Sequence, residues 1–482
     1  MQALVFILLL VAAAVLALLA VVFVRTLAFR PKTGPSVAPK DTDFDKDAAI
    51  ERLRTLVRFP TVSYYEKEKE DNDAFASLVA SLPTLYPAVF SACEYRELPD
   101  RALLFRWQGR TAGDPAVMMA HYDVVPVNEG AWEKPPFEAI LEDGVIWGRG
   151  TLDTKVTFNA ILSAVDTLIL RGFVPEHDVY LAFSGGEEIN GEGARNIVSY
   201  FKEIGITPAM VVDEGGAVVE DVFPGVKEIC GMIGIAEKGM LNVRYRTVSA
   251  GGHASAPKPH TPVGVLSRAC ARIEDHPFPA HIALPVAAMF DTLGRHSSFV
   301  YRMIFANLWL FRPVLDAICK KSGGELNALL RTTVAFTQME GSAAPNVIPP
   351  EASMVSNIRL NPMDTVEGAL ARLRKTVDDD AVAIEEIYGM NPSPISRIDC
   401  AAWDKVASAV ASTWEGCIVT PYLMMQCSDS RHYGEISDRV YRFSAMDLTK
   451  EERATIHGNN ERIRVCCALD AVSFYLSLLA KC

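Results

Sequence analysis

The chain has 482 residues, half of them apolar, with 47 basic and 59 acidic side chains and a formal net charge of -12. That length admits roughly two to three domains with a sizeable core. The acidic balance, without a long Lys/Arg run, excludes nucleic acid as a partner. Residues 3–24, ALVFILLLVAAAVLALLAVVFV, carry no charge. At about 1.5 Å per residue this run is long enough to cross a bilayer. Nothing basic precedes it, so an uncleaved anchor over residues 1–24 is expected rather than a signal peptide. Arg25, Arg30, Lys32 and Lys40 follow the run, which by the positive-inside rule puts the remainder in the cytoplasm. The ten cysteines show no disulfide framework, in agreement with a reducing compartment. Residues 25–45, rich in proline and mixed charge, read as a stiff tether.

Over residues 46–238 helical patterns alternate with short apolar strands: DAAIERLRTLVRF, PAVMMAH, TKVTFNAILSAVDTLILRG, VYLAFS, ARNIVSYFKEIG, PAMVVD. This alternation predicts an α/β domain with a mostly parallel sheet flanked by helices. From residue 239 the pattern changes. MLNVRYRTVS and ASMVSNIRL alternate with period two, and helix-like stretches lie at 261–274 and in TVEGALARLRKTV. An α+β domain over 239–390, one face of its sheet solvated, is therefore inserted into the first, which resumes over 391–482. Within the insert, residues 276–331 form a long apolar stretch that includes SSFVYRMIFANLWLFRPVLDAI. Taken alone, that stretch predicts buried helices.

Chemistry-bearing residues fall where the strands end. His121 ends AVMMAH, and Asp123 is placed two residues on to hold the imidazole's other nitrogen. Asp153 lies in GRGTLDTK, Glu187 and Glu188 follow VYLAF, Asp213 ends MVVD, and His457 stands in TIHGNNE. In an open α/β sheet the carboxyl ends of the strands form the binding crevice. Adjacent buried glutamates are costly unless a cation lies between them. The set suits two zinc ions: His121 and Asp213 on one, Glu188 and His457 on the other, Asp153 bridging, and a shared water completing each shell. The ligand types would also accept cobalt or manganese. Glu187 is left over as the general base, with the cations about 3.5–4 Å apart.

At these residues the sequence resembles the di-zinc aminoacylase/carboxypeptidase family of metallopeptidases. The matching stretches are MMAHYDVVPV, WEKPPFEAILEDGVIWGRGTLDTK, FSGGEEINGEG, VVDEGG, SAGGHAS, PNVIP, NIRL and IHGNNE, in order over nearly all of the chain after residue 45. The resemblance implies a catalytic zinc domain with an inserted lid that relatives often use to form homodimers. It supports the ligand and base roles above. It further implies that His253 polarises the scissile carbonyl, sometimes across a dimer interface, and that Asn346 and Arg359 hold the substrate's carboxylate, a task suited to a guanidinium fork. The apolar insertion and SDSRHYGE (428–435) resemble the branch of carboxypeptidase S and N-fatty-acyl-amino-acid synthase/hydrolase, where Asp429 and Arg431 would line the substrate pocket and the insertion would cover an acyl group. That branch implies a non-cytoplasmic enzyme, against the charge rule. Relatives commonly carry an acidic residue where this chain has Gly186.

The expected activity is hydrolysis of an amide bond beside a free carboxylate, in small peptides or N-acyl amino acids. A strict deacylase is the alternative within the same chemistry. A di-zinc aminopeptidase would need an acidic group for the substrate's amine, whereas Arg359 favours a carboxylate. A metal-binding receptor without hydrolytic activity would lack the base or a ligand.

Overall fold

The computed structural model describes residues 2–32 and 37–482; the centre of the expected tether lies outside them. The catalytic sheet has eight strands in the order Glu94–Leu98, Ala102–Trp107, Val179–Ser184, Ala116–His121, Met210–Val219, Val440–Leu448, Cys230–Glu237, Ile418–Met424. Its centre is parallel: Ala116–His121 pairs in parallel with both neighbours, and Met210–Val219 pairs in parallel with Val440–Leu448. Ala116–His121 and Val179–Ser184 are buried at every residue, as strands covered on both faces must be. Alternate side chains divide between two cores. Met118 and Ala120 join the larger core with the helices Lys155–Leu170 and Val465–Leu479, while Val117 and Met119 face the helix Gly193–Glu203.

The lid sheet runs Thr333–Glu340, Glu351–Leu360, Gly239–Val248, Ala383–Met390, all antiparallel. Buried and less buried residues alternate along Glu351–Leu360, and the helices Pro262–Asp275 and Val366–Val377 supply the other side of this small core. The apolar stretch 276–331 behaves differently. It forms the helices Leu284–His296, Phe299–Ala306, Leu308–Ser322 and Gly324–Leu330, and buried residues of these helices (Val286, Phe290, Phe305, Leu329) belong to the catalytic core, while Phe278 ahead of them packs in the lid core.

The helix Gln2–Ala28 has a mean hydropathy of 3.3 over its most apolar window, enough in length and composition to cross a membrane. Its last turns dock on the insertion. Arg25 Nη2 donates to the Ala306 carbonyl (3.1 Å), and Asn307 Nδ2 donates to the Val22 carbonyl (3.3 Å). Beyond the helix the described flanks of the tether are pinned: Lys32 pairs with Asp291, Lys40 with Asp470 and Asp41 with Arg171.

Candidate active site

Two strands set the site. His121 lies in register with Ser184, so the chain leaving each strand carries Asp123 and the Glu187–Glu188 pair to the same edge. Asp123 is fully buried and joins them. Its main-chain carbonyl lies 3.0 Å from His121 Nδ1, and its carboxylate accepts from the Glu187 (3.1 Å) and Glu188 (3.2 Å) N–H groups. The carboxylate is itself 3.4 Å from His121 Nδ1. One residue therefore faces the imidazole, chiefly with its carbonyl, and fixes with its carboxylate the turn bearing the two glutamates.

Asp153 spans the centre of the site: Oδ1 is 3.0 Å from His121 Nε2, and Oδ2 is 2.9 Å from His457 Nε2. Two oxygens aimed at two different imidazoles is the disposition of a bridging carboxylate. Glu188 Oε2 lies 3.1 Å from His457 Nε2, and its Oε1 has no protein partner although buried. Burial opposes ionisation of Asp153, but hydrogen bonds from His121 and His457 overcome it and hold the carboxyl well below the usual range. Burial, with Asp153 nearby, pushes Glu188 up to about 7. Burial also lifts Glu187 well above an ordinary glutamate; His121 opposes the rise, while Glu214, Asp429 and Glu188 add to it.

Asp213 falls outside both clusters of candidate ligands. Its carboxylate accepts from the Ser430 N–H (2.9 Å), whereas Glu214 Oε1 lies 3.4 Å from His121 Nε2. The cause is a bulge. Pairing with Val440–Leu448 steps from Asp213–Arg442 to Gly216–Phe443, which re-aims Glu214 into the cleft. Gly215, at φ +146, is needed there, since a Cβ would meet Arg442 Cβ at 2.6 Å. Burial pushes Glu214 up to about 8, against the pull of His121.

Glu461 is a second residue the motif reading left without a role. Its buried carboxylate accepts from the Gly150 (3.1 Å), Leu152 (2.7 Å) and Asp153 (3.2 Å) N–H groups and pairs with Arg149 Nη1 at 2.6 Å. It holds the loop that presents Asp153. His457 takes φ +59, a strained conformation for a residue other than glycine.

The remaining predicted residues lie around this cluster. Asp429 accepts from Ser184 Oγ and leaves Oδ1 without a protein partner. Arg431 donates to Asn190 Oδ1 (3.0 Å). Both act electrostatically on Glu187, Asp429 raising its pKa and Arg431 being charged beside it. Arg359, half-buried on its lid strand, reaches Cys427 Sγ at 3.7 Å, and Cys427 lines the cleft. His253 and Asn346 are exposed on the lid and outside the cleft lining; Ser255 N–H donates to His253 Nδ1, and Ala254 N–H to the Asn346 carbonyl. At Gly186 a Cβ would point toward Asp100 Oδ2 at 3.9 Å, and that carboxylate already accepts from the Glu192 N–H (2.6 Å).

The cleft has a volume of about 660 Å³. Asp153, Glu187, Glu188, Glu214 and His457 form its polar end; Val222, Phe223, Met289, Leu326 and Leu329 line an apolar wall. Arg453, also at the cleft, was not singled out by any motif.

The donor set fits a pair of divalent cations. One ligand atom each from His121, Glu187 and Glu214 lies within 4.8 Å of the others, as does one each from His121, Asp153 and Glu188. Crowded carboxylates with raised pKa values, and a buried Glu188 oxygen without a partner, are what a cation pair would relieve.

Comparison with known proteins agrees. Residues 117–481 match the family described as "Peptidase family M20/M25/M40". The chain is 33% identical over 459 residues to "N-fatty-acyl-amino acid synthase/hydrolase PM20D1" of Mus musculus, covering 93% of this chain and 91% of the relative. It is 32% identical over 437 residues to "Probable carboxypeptidase S-like 2" of Dictyostelium discoideum, covering 89% and 84%. The fold is similar to that of the M20 family metallo-carboxypeptidase Sso-CP2 from Sulfolobus solfataricus (TM-score 0.65, 17% identity, 90% of this chain and 98% of that one). It is also similar to the Bacillus subtilis YXEP protein, a dinuclear metal-binding peptidase (TM-score 0.57, 14% identity, 90% and 97%).

Proposed function

The chain belongs to peptidase family M20/M25/M40, and we propose that it hydrolyses N-acyl amino acids whose acyl group is long and apolar, with carboxypeptidase action on small peptides as the second reading. That it is a metal-dependent amide hydrolase follows from the family and its two-metal donor set. The observation that carries the acyl reading is the apolar wall of the cleft, to which the insertion contributes Met289, Leu326 and Leu329 beside the polar cluster. The name of the Dictyostelium relative favours the second reading.

In this reading His121, Asp153, Glu188, Glu214 and His457 would hold two zinc ions, or cobalt or manganese. When bound, the cations would acidify water and polarise the scissile carbonyl. Glu187, half-buried and positioned by Asp123, takes a proton at its carboxylate and returns it to the departing amine. Asp429 and Arg431 set the charge around Glu187. Arg359 holds the substrate's carboxylate from the lid side. His253 and Asn346 reach the site only with movement of the lid or from a second copy of the chain, which makes the lid the expected dimer surface. The docked end of Gln2–Ala28 supports a retained membrane anchor.

The test is turnover of paired N-acetyl and long-chain N-acyl amino acids and dipeptides by the full chain, with zinc, with chelator, and as Glu187→Gln. Chelator-sensitive turnover with preference for the long acyl chain is expected. Equal rates on acetyl and long-chain substrates would remove the acyl reading, and preference for dipeptides would install the second.

A further inference from the structure

We infer that the helices Phe299–Ala306 and Leu308–Ser322 rest on the bilayer crossed by Gln2–Ala28. The inference depends on the anchor reading above. Its starting point is depth. Phe23 lies in the last turn of the apolar run, where a span meets the membrane surface, and its ring centroid is 6.2 Å from that of Phe299. Phe299 is therefore held at the level where the acyl region gives way to headgroups.

The surface that continues from Phe299 is apolar and uncovered. Phe299, Val300 and Tyr301 on the first helix and Trp309 on the second are 48%, 61%, 41% and 56% exposed. The inner side of the same short helix is committed elsewhere: Phe305 stacks on Phe223 (4.6 Å between centroids) and Phe290 (5.1 Å) in the catalytic core. Among the described residues the aromatic contact of this outer face is with Phe23 of the anchor, and Tyr301 also lies beside Gly225. Tyr and Trp at this level are the side chains a membrane interface favours, with an apolar body and a polar edge.

Charge points the same way. Arg25, Arg30 and Lys32 follow the span directly, and Lys32 keeps 72% of its side chain exposed while pairing with Asp291. In a chain with net charge -12, this local basic group beside an apolar face suits anionic headgroups. The docked contacts of Arg25 and Asn307 hold the platform and the span in one orientation. Since Phe223 lines the cleft, a single helix separates the bilayer from the cleft's apolar wall.

The test places the photo-crosslinker p-benzoylphenylalanine in the full chain, reconstituted in vesicles of phosphatidylcholine and phosphatidylserine. The variants are Val300→p-benzoylphenylalanine and Trp309→p-benzoylphenylalanine. Val248→p-benzoylphenylalanine, at a lid residue 64% exposed, is the reference. Thermal midpoints matching the wild type confirm folding, and intact mass confirms that residues 2–28 are retained. Phospholipid adducts at Val300 and Trp309 at least about fivefold above Val248 are expected for side chains in the interface. An intact chain with adducts no higher than Val248, or with chain-to-chain adducts instead, overturns this inference alone. A chain recovered without residues 2–28 overturns the anchor reading and this inference with it.

Discussion

At the carboxyl edge of the catalytic sheet the buried carboxylates of Asp123 and Glu461 brace the turns that carry the candidate residues, whereas His253 and Asn346 of the lid stand exposed. The Asp123 carboxylate accepts from the main-chain N–H groups of both glutamates while its carbonyl faces His121 Nδ1, and Glu461 holds the loop of Asp153. His253 and Asn346 stand exposed on a two-residue strand pairing, Gly252–His253 against Val347–Ile348. The difference teaches which half of the chemistry is built in advance. In the proposed reading the metal ligands and the general base are preorganised at one sheet edge, as electrostatic catalysis requires. In the same reading, recognition by His253 and Asn346 would be completed by movement of the lid or by a second copy.

Removing the base is the strongest way to break this comparison. Glu187→Gln is expected to lower kcat by about a thousandfold, the range of general-base catalysis, with metal content by elemental analysis unchanged. A matching loss of metal would show that Glu187 is a ligand instead. Glu461→Ala leaves the buried Arg149 without its partner and three N–H groups without an acceptor. Denaturant titration should show a loss of about 3–5 kcal/mol. Glu214→Gln should weaken zinc binding about 10- to 100-fold by competition with a chelator, and more than Asp213→Asn does. The reverse order would return the ligand role to Asp213.

The smallest expected effect sits at the junction of the two regions. Lys238 links the catalytic strand Cys230–Glu237 to the lid strand Gly239–Val248, and its buried ammonium donates to the carbonyls of Ala328 and Arg331, both at 2.9 Å. Burial, reinforced by Arg359, lowers its pKa from 10.5 to about 7. The folded state disfavours the charged form, so above about pH 7 the unfolded state binds more protons and stability rises with pH. Between about pH 7 and about pH 9 the wild type should gain on the order of 2 kcal/mol relative to Lys238→Met, measured by denaturant unfolding at the two values.

Much of the site was legible because strand ends are legible. An apolar run stopping at His121 or before Glu187 places those residues at the sheet edge whatever the surroundings. Glu214 was not legible. Strict alternation along MVVDEGG cannot reveal a bulge made by the pairing of Asp213 and Gly216 with a strand more than two hundred residues away. Glu461 was hidden for a similar reason: nothing local tells a buried carboxylate which loop it will hold. The insertion's helical character was readable from its apolar pattern, but its placement on the catalytic core rather than the lid core was not. Periodicity gives a helix an apolar face without naming the core that covers it.

The hold of Glu461 on the Asp153 loop also orders events in time. Synthesis runs from the N-terminal side, so the hydrophobic helix Gln2–Ala28 emerges hundreds of residues before the His457–Glu461 segment that meets Asp153. A nascent chain still short of that segment has neither the second histidine nor the clamp. In the proposed ligand set the full complement of donors would exist only once the His457–Glu461 segment has folded against the Asp153 loop, so metal loading would be coupled to the folding of that segment.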